Sequence, residues 1–324
     1  MDNKYRTDRN GHKNKKKSVW KIVLSIFLFI LLLITLAGGY IAWQVFTDVR
    51  STTDDMYEEV DQEAHTAREE KPVVVDDGED PFSVLLLGID KEDGSVEYGR
   101  SDTMMLVTVN PNTDKTSILS IPRDTRTEII GHGTVDKINH AHAFGQASMA
   151  MNTVQNLLDV PVDYYVAVNM ESMQQMVNAV GGLTVVPPLS FTQGEYQFVE
   201  GEPTHMDGAK ALAYTRMRKE DPEGDYGRQF RQRQIIEGAM KSLASLDSIM
   251  NYQDVLSAMG NSMKTNMSFD EMVDVFNNYR QAANTIEQDQ LAGSGTMIDG
   301  IYYELIPDEE LNRVQTQLKN ELEL

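Results

Sequence analysis

The 324-residue chain has no cysteine, which excludes disulfides, thiol catalysis and Cys-ligated metal sites. It holds no Gly-x-Ser-x-Gly elbow, Walker loop or Gly-x-Gly-x-x-Gly fingerprint, the short motifs of serine hydrolases, P-loop enzymes and dinucleotide folds. Positive charge is scarce beyond the N-terminus. Eight of the 29 Lys and Arg residues fall in residues 1–21, leaving 21 against 48 Asp and Glu over the rest. An acidic surface of that size repels nucleic acid, so any polyanion handled here has to be held by a local cationic cluster.

What is present first is a hydrophobic run. The 26 residues Ile22 to Thr47 carry no formal charge, and a bilayer core needs roughly 20 apolar residues as a helix. The apolar region of a cleaved signal peptide is only about 7–15 residues long, so residues 22–45 read as a retained transmembrane helix. Trp20 and Trp43, the only two tryptophans, stand near its ends, where interfacial rings are favoured. The tail 1–21, with Lys4, Arg6, Arg9, Lys13, Lys15, Lys16, Lys17 and Lys21, keeps the N-terminus cytoplasmic and sends the C-terminal domain outside. The expected location is therefore the cell membrane, single-pass. A nucleic-acid patch is the other reading of the lysine run, and the adjoining span disfavours it. Residues 46–81 are mostly acidic and read as a solvated stalk, partly helical to about Arg68.

The folded domain is expected over residues 82–324. Phe82 to Asp90 is a short apolar run consistent with a buried central strand presenting Asp90 at its C-terminal end. Met104 to Val109 and Thr116 to Ile121 flank a turn-rich Asn110-Pro-Asn-Thr-Asp-Lys and form a hairpin. Helices are expected over Asn139 to Leu158, Met170 to Val180, Gly208 to Tyr214 with Asp207 as N-cap, Arg228 to Leu246, Asp254 to Met263, and Phe269 to Ala283 capped by Ser268. Further strands fall at Asp163 to Val168, Leu183 to Val186, Ile286 to Leu291 and Ile301 to Ile306, and Pro307 opens a last helix. Interleaved in this way, they specify one α/β domain with a central mixed sheet flanked by helices.

Charge gathers at strand ends, where open α/β sheets place their sites. The clusters are Gly88-Ile89-Asp90, Arg100-Ser-Asp102-Thr103, Arg123-Asp124, and the stretch from Tyr214 to Gln234. That stretch holds five arginines, Arg216, Arg218, Arg228, Arg231 and Arg233, within 18 residues. Guanidinium forks suit phosphate. Arg216 and Arg218 would share a direction on an extended segment, and Arg228 and Arg231 a helix face near an N-terminus. The plainer alternative is that they neutralise Asp221, Glu223 and Asp225 on a solvated surface. Asp90 and Asp102 are candidate Mg²⁺ ligands, the alternative being a turn cap and a pair with Arg100. His132, His140 and His142 do not converge on a metal, because positions two apart at a helix start point apart.

Together, Gly88-Ile-Asp90, Arg100-Ser-Asp102-Thr, Ser120-Ile-Pro-Arg123-Asp124, Lys137-Ile-Asn139, Gly181-Gly-Leu, Tyr214-Thr-Arg216-Met-Arg218 and Asp225-Tyr-Gly-Arg228 through Gln234 resemble the LytR-CpsA-Psr family. The resemblance is strongest over residues 82–246. It implies a phosphotransferase of Gram-positive cell-wall assembly that moves an anionic glycopolymer, such as a teichoic acid, from a polyisoprenyl-(pyro)phosphate carrier in the membrane to a peptidoglycan sugar hydroxyl. By motif, Asp90 and Asp102 would bind Mg²⁺, or Mn²⁺. Arg100, Arg123, Arg216 and Arg218 would clamp the phosphate oxygens. Lys137, Asp225, Arg228, Arg231 and Gln234 would line or support the pocket, and Asp102 or Asp225 would take the hydroxyl proton. The apolar faces of 139–158 and 228–246 would wall a slot for the lipid chain. Two rival readings are a membrane-anchored regulator of envelope genes, as the family's historical name suggests, and a lipid pyrophosphatase using water as acceptor.

Overall fold

A computed structural model of the chain describes residues 55–63, 65–69, 72–90, 95–218, 220–245 and 263–324, with scattered positions from 31 to 53. Two units form, Met1–Arg50 and Ser51–Leu324. In the first, the described residues are helical, with Leu31, Leu32, Leu36, Tyr40 and Trp43 exposed. Most of the expected span lies outside the described residues, and no helix among the described residues is long and apolar enough to cross a membrane. The helix expected at Asp254 to Met263 also lies outside the described residues, apart from Met263.

The second unit is α/β. Its strands are β1 (Phe82–Asp90), β2 (Arg100–Asn110), β3 (Lys115–Ser120), β4 (Arg126–Ile129), β5 (Thr134–Lys137), β6 (Tyr164–Asn169), β7 (Leu183–Val185), β8 (Phe191–Gln193), β9 (Tyr196–Phe198), β10 (Thr204–Met206), β11 (Met263–Thr265), β12 (Thr285–Gln290), β13 (Ser294–Ile298) and β14 (Ile301–Leu305). Its main helices are α1 (His140–Leu158), α2 (Met170–Ala179), α3 (Gly208–Arg216), α4 (Asp225–Ala244), α5 (Phe269–Asn278) and α6 (Asp308–Glu321).

Six strands make the central sheet in the order β11-β6-β1-β2-β3-β12. The pairs β6–β1 and β3–β12 are parallel and the other three antiparallel. The C-terminal ends of β1, β3, β6 and β12 and the N-terminal end of β2 therefore share one edge. The expected hairpin is β2–β3, with Asn110 Oδ1 accepting from the backbone N–H of Asn112 and Thr113. Central β1 buries one face fully and the other in part, in keeping with its apolar composition. Leu85, Leu87 and Ile89 pack with Met104, Leu106, Leu119 and Ile121 under α1 and α6, through Ala150, Met151, Val154, Leu158, Val314 and Leu318. A second core joins α2, α3 and α4 around Val177, Tyr214, Met217, Ile235 and Ala239.

Thr103 and Ser120, each one step out of alternation with that first core, bond α4 residues Gln232 and Arg233 instead. Neighbouring strand positions face opposite ways, so α1 and α4 cover opposite faces and do not wall one slot. Helix α1 is also interrupted, with Gly145 and Gln146 at non-helical angles. Helix α4 starts at Asp225, three residues before its expected start, and the segment after Ser268 divides into α5 and a 3₁₀ turn at Arg280–Asn284. Ser268 and Glu271 form the reciprocal cap the sequence calls for.

The acidic segment is not a free stalk. Tyr57 bridges Thr265, and the Glu58 N–H donates to Thr265 O at 2.8 Å. Gln62 Nε2 donates to Val162 O at 2.6 Å, Gln155 Nε2 donates to Glu63 O at 2.8 Å, and Met56 and Val75 are buried. Arg68 grips Asp163 with two bonds, at 2.9 and 3.1 Å, and donates to Pro81 O. Charge counting misses this, because apart from the Arg68–Asp163 pair the contacts run through backbone groups and amide side chains. Replacing Arg68 by alanine leaves Asp163 buried without its cation and should cost about 3 kcal/mol; a free stalk would show no change in the thermal unfolding midpoint.

Candidate functional site

The site begins with a register shift. Gly88 pairs with Thr103 and Ile89 with Ser101, so Asp102 is an extra residue on β2, a bulge that re-aims its side chain. Gly88 permits the close approach, since a Cβ there would lie 2.8 Å from that of Thr103. Asp102 Oδ2 lies 3.0 Å from Arg123 Nη1, and Asp102 Oδ1 accepts from Asn139 Nδ2 at 3.1 Å. Its partner is thus Arg123 and not Arg100.

Arg123 follows β3 through Ile121-Pro122, where Pro122 O accepts from the Thr125 N–H. Lys137, at the end of β5, reaches Asp124 Oδ1 at 2.6 Å, and Asn139 N donates to Arg123 O. One ladder of contacts therefore joins Asp102, Arg123, Asp124, Lys137 and Asn139. Asp90 and Arg100 stand opposite each other at the outer end of the β1–β2 register, both exposed.

The second half comes from α4. Asp225 is its first residue, and Asp225 Oδ1 lies 2.6 Å from Arg228 Nη2 and 3.7 Å from Arg218 Nε. Arg216 is the last residue of α3 and exposed, whereas Arg218 follows it on non-helical backbone; the two do not share one extended segment. Arg231 is fully buried. It binds Asp221, Tyr214 O and Met217 O, so it braces the segment that bears Arg216 and Arg218 and lines nothing. Gln234 accepts from Tyr214 OH at 2.6 Å and donates to Val186 O, also as a brace.

The two halves share one field. Burial works against the Arg123 cation, yet Asp102, Asp225 and Asp124 hold its pKa above the ordinary arginine value. Arg228 goes the other way: burial lowers it, Asp225 opposes, and Arg123 and Arg218 repel. Hydrogen-bonding atoms are left over in the same place. Among the described residues, Arg123 Nε, Arg228 Nε, Ser101 Oγ, Asn139 Oδ1 and Gln232 Oε1 are buried without a hydrogen-bond partner. Buried polar atoms are ordinarily satisfied, and guanidinium N–H groups that converge unsatisfied can receive an anion with several oxygens. Asp90 and Asp102 carry the hard oxygen donors that a divalent cation sharing a phosphate takes, Asp102 being already engaged by Arg123 and Asn139, and among the described residues no three His, Asp or Glu side chains group to hold a metal alone.

Sequence reasoning did not assign Asn139, Thr103, Tyr226, Glu304 or His142. His142 is buried, its Nδ1 2.8 Å from Gly99 O, which holds the turn just before Arg100. A histidine beside a short helix start carries no signal of that role. His132 stacks on Phe144 at 4.1 Å and His140 pairs with Asp136 at 2.8 Å, so the three histidines do not converge.

A model of the LytR_cpsA_psr family matches residues 44–320 of this chain. The Enterococcus faecalis protein named polyisoprenyl-teichoic acid--peptidoglycan teichoic acid transferase TagU is 46% identical over 310 residues, 95% of this chain and 99% of that protein. The crystal structure of Bacillus subtilis TagU superposes with a TM-score of 0.62 at 46% identity, covering 76% of this chain and 98% of that one. The structure of YwtF (TagT) with bound octaprenyl pyrophosphate lipid gives a TM-score of 0.65 at 29% identity, covering 83% of this chain and all of that one.

Burial holds His142 below its ordinary value of 6.5, against the pull of the Gly99 carbonyl. A depressed folded-state pKa adds stability that is complete above the unfolded value and is lost as pH falls through the folded one. The unfolding midpoint should therefore drop as pH is lowered from 7 to 5. The His142→Gln protein should lose part of that slope; only part, because His65 is also lowered, first by burial. An unchanged slope would show that His142 is not a buried neutral group.

Proposed function

The chain belongs to the LytR_cpsA_psr family, and from that membership we propose that it is a transferase attaching a teichoic acid or similar anionic glycopolymer to peptidoglycan from a polyisoprenyl carrier. The observation that carries this reading is the set of unsatisfied guanidinium groups facing carboxylates at one end of the sheet. The likeness to a transferase named for this reaction supports it, as does the likeness to a protein bound to octaprenyl pyrophosphate.

We take the reaction further, to phosphotransfer. A peptidoglycan sugar hydroxyl attacks the phosphorus nearer the glycopolymer, and the bond from that phosphorus to the bridging oxygen breaks. The products are a sugar–glycopolymer phosphodiester and the lipid monophosphate, with one proton released. Such transfers depend on positioning and charge neutralisation. Arg123 and Arg228 meet the phosphate oxygens from partly buried positions, with Arg100, Arg216 and Arg218 exposed around them, and Lys137 sets Asp124 against Arg123. Asp90 and Asp102 would hold Mg²⁺ or Mn²⁺, which supplies further positive charge to the pyrophosphate when bound. Asp102 or Asp225, paired with Arg123 and with Arg228, would receive the hydroxyl proton.

The same reading places the domain outside the cell, behind a membrane-spanning helix with the N-terminus inside, so protease added to intact protoplasts should remove the C-terminal domain. In a transfer assay with a synthetic lipid-linked donor and peptidoglycan oligomers, Arg123→Ala and Arg218→Ala should each lower the rate about 100-fold or more, and chelation should abolish it until Mg²⁺ is restored. Full activity in both variants would overturn the site. Release of lipid phosphate without peptidoglycan, at an undiminished rate, would make the protein a pyrophosphatase.

A further inference from the structure

One carboxylate outside the arginine cluster is buried among neutral groups. Glu304, on β14, is 5% exposed. Tyr226 OH donates to its Oε1 at 2.7 Å and Tyr302 OH to its Oε2 at 2.8 Å. Its backbone N–H donates to Asp124 O at 2.9 Å, beside the bridge from Thr125 to Glu304. Burying an anion against two phenols is costly unless the bonds do more than fill space. The strand pattern is unusual as well, because Tyr303 and Glu304 are both buried where alternation would expose one of them. The cause is that the chain passes between two partners, Tyr303 OH facing Asp136 at 3.4 Å while Glu304 faces Tyr226.

The partners of Glu304 belong to the two halves of the site. Asp124 follows Arg123, which pairs with Asp102. Tyr226 follows Asp225, which pairs with Arg228 in the first turn of α4. Tyr226 is itself held on its other side, accepting from the Gly293 N–H at 2.9 Å where the β13–β14 hairpin begins. Burial and the Glu304 carboxylate push the Tyr226 hydroxyl above its ordinary value, so it stays a donor. The halves sense each other through charge, Asp225 being one of the groups that keep Arg123 charged. Their separation is set by the strut.

We propose that Glu304 is a positioning residue. Through Tyr226 and the Asp124 carbonyl it fixes the distance between the Asp102–Arg123 pair and the Asp225–Arg228 pair, and so the span of pyrophosphate the site accepts. This rests on the transferase reading above. It assigns the β13–β14 hairpin a part in the reaction: a lever that sets how far apart the arginines stand.

A strut that sets a spacing acts on affinity, whereas a group that only keeps the domain folded changes how much enzyme is active. Loss of folded enzyme lowers apparent kcat and leaves KM alone. The test uses the full chain in detergent, with Tyr226→Phe, which removes one bond and little volume, beside Glu304→Gln. For each, the melting temperature, the donor KM in the transfer assay, and the Kd for inorganic pyrophosphate with MgCl₂ are measured. We expect KM and the pyrophosphate Kd to rise together by about tenfold while Tyr226→Phe melts within a few degrees of the wild type. Wild-type KM and Kd in Tyr226→Phe, with or without a lower kcat, would overturn the proposal. If the wild type transfers nothing, the transferase reading fails, and the pyrophosphate Kd alone then decides whether the strut sets the anion site: a tenfold rise upholds it and no change overturns it.

Discussion

The site depends on one buried ion pair. Arg231 and Asp221 are both almost wholly removed from water. A guanidinium so placed is tolerated only when its charge and its N–H groups are met together. The Asp221 carboxylate and the carbonyls of Tyr214 and Met217 meet them. Those carbonyls lie on the segment that carries Arg216 and Arg218, and Arg231 lies on α4 with Asp225 and Arg228. Gly227 completes the arrangement, because any Cβ there would collide with the Asp221 carboxylate. Arg231, which cannot touch a ligand, therefore ties the segment of Arg216 and Arg218 to the helix that bears Arg228.

Much of this was legible in the sequence. The apolar run of β1, the β2–β3 hairpin around Asn110 and the Ser268 cap follow from local rules, and the structure realises each of them. The arginine and aspartate motifs fall together at one end of the sheet. Pairing was less legible. Asp102 was assigned to Arg100 as its plainer alternative because the two are neighbours in sequence, but a bulge, which no period-2 pattern reveals, turns it to Arg123. Whether Arg231 lines the pocket or supports it is not legible, since a buried arginine and an exposed one are spelled the same way; the structure makes it a support. The docking of residues 57–68 rests on one ion pair between residues 95 apart in sequence and on carbonyls and amides scattered over the fold, and a charge count does not reveal these partners.

The charge balance explains how so acidic a chain can serve an anionic substrate. Beyond residue 21 acidic residues outnumber basic ones by 48 to 21, and the general field repels a polyanion. Within the site, burial removes water and strengthens the attraction between charges in contact. Local guanidinium groups dominate there, and Arg233 shows the same tendency at the far side of α4. Bonded to Ser120 and Gln290, it is pushed down to about 10 by burial. A field that repels at long range and attracts at contact favours a ligand delivered by a route other than free diffusion, as a lipid-borne head group is.

The docked segment from Tyr57 to Arg68 bears on reach. Had residues 57–81 been a solvated chain, they would have supplied a leash of up to about 80 Å when extended, and the domain could have sampled a broad shell around its point of attachment. Fastened to Thr265, Val162 and Asp163, they supply almost none. The docked chain reaches back to the buried Thr53 and Met56. A cut made between residues 57 and 68 would therefore remove a piece of the folded domain and not a tether.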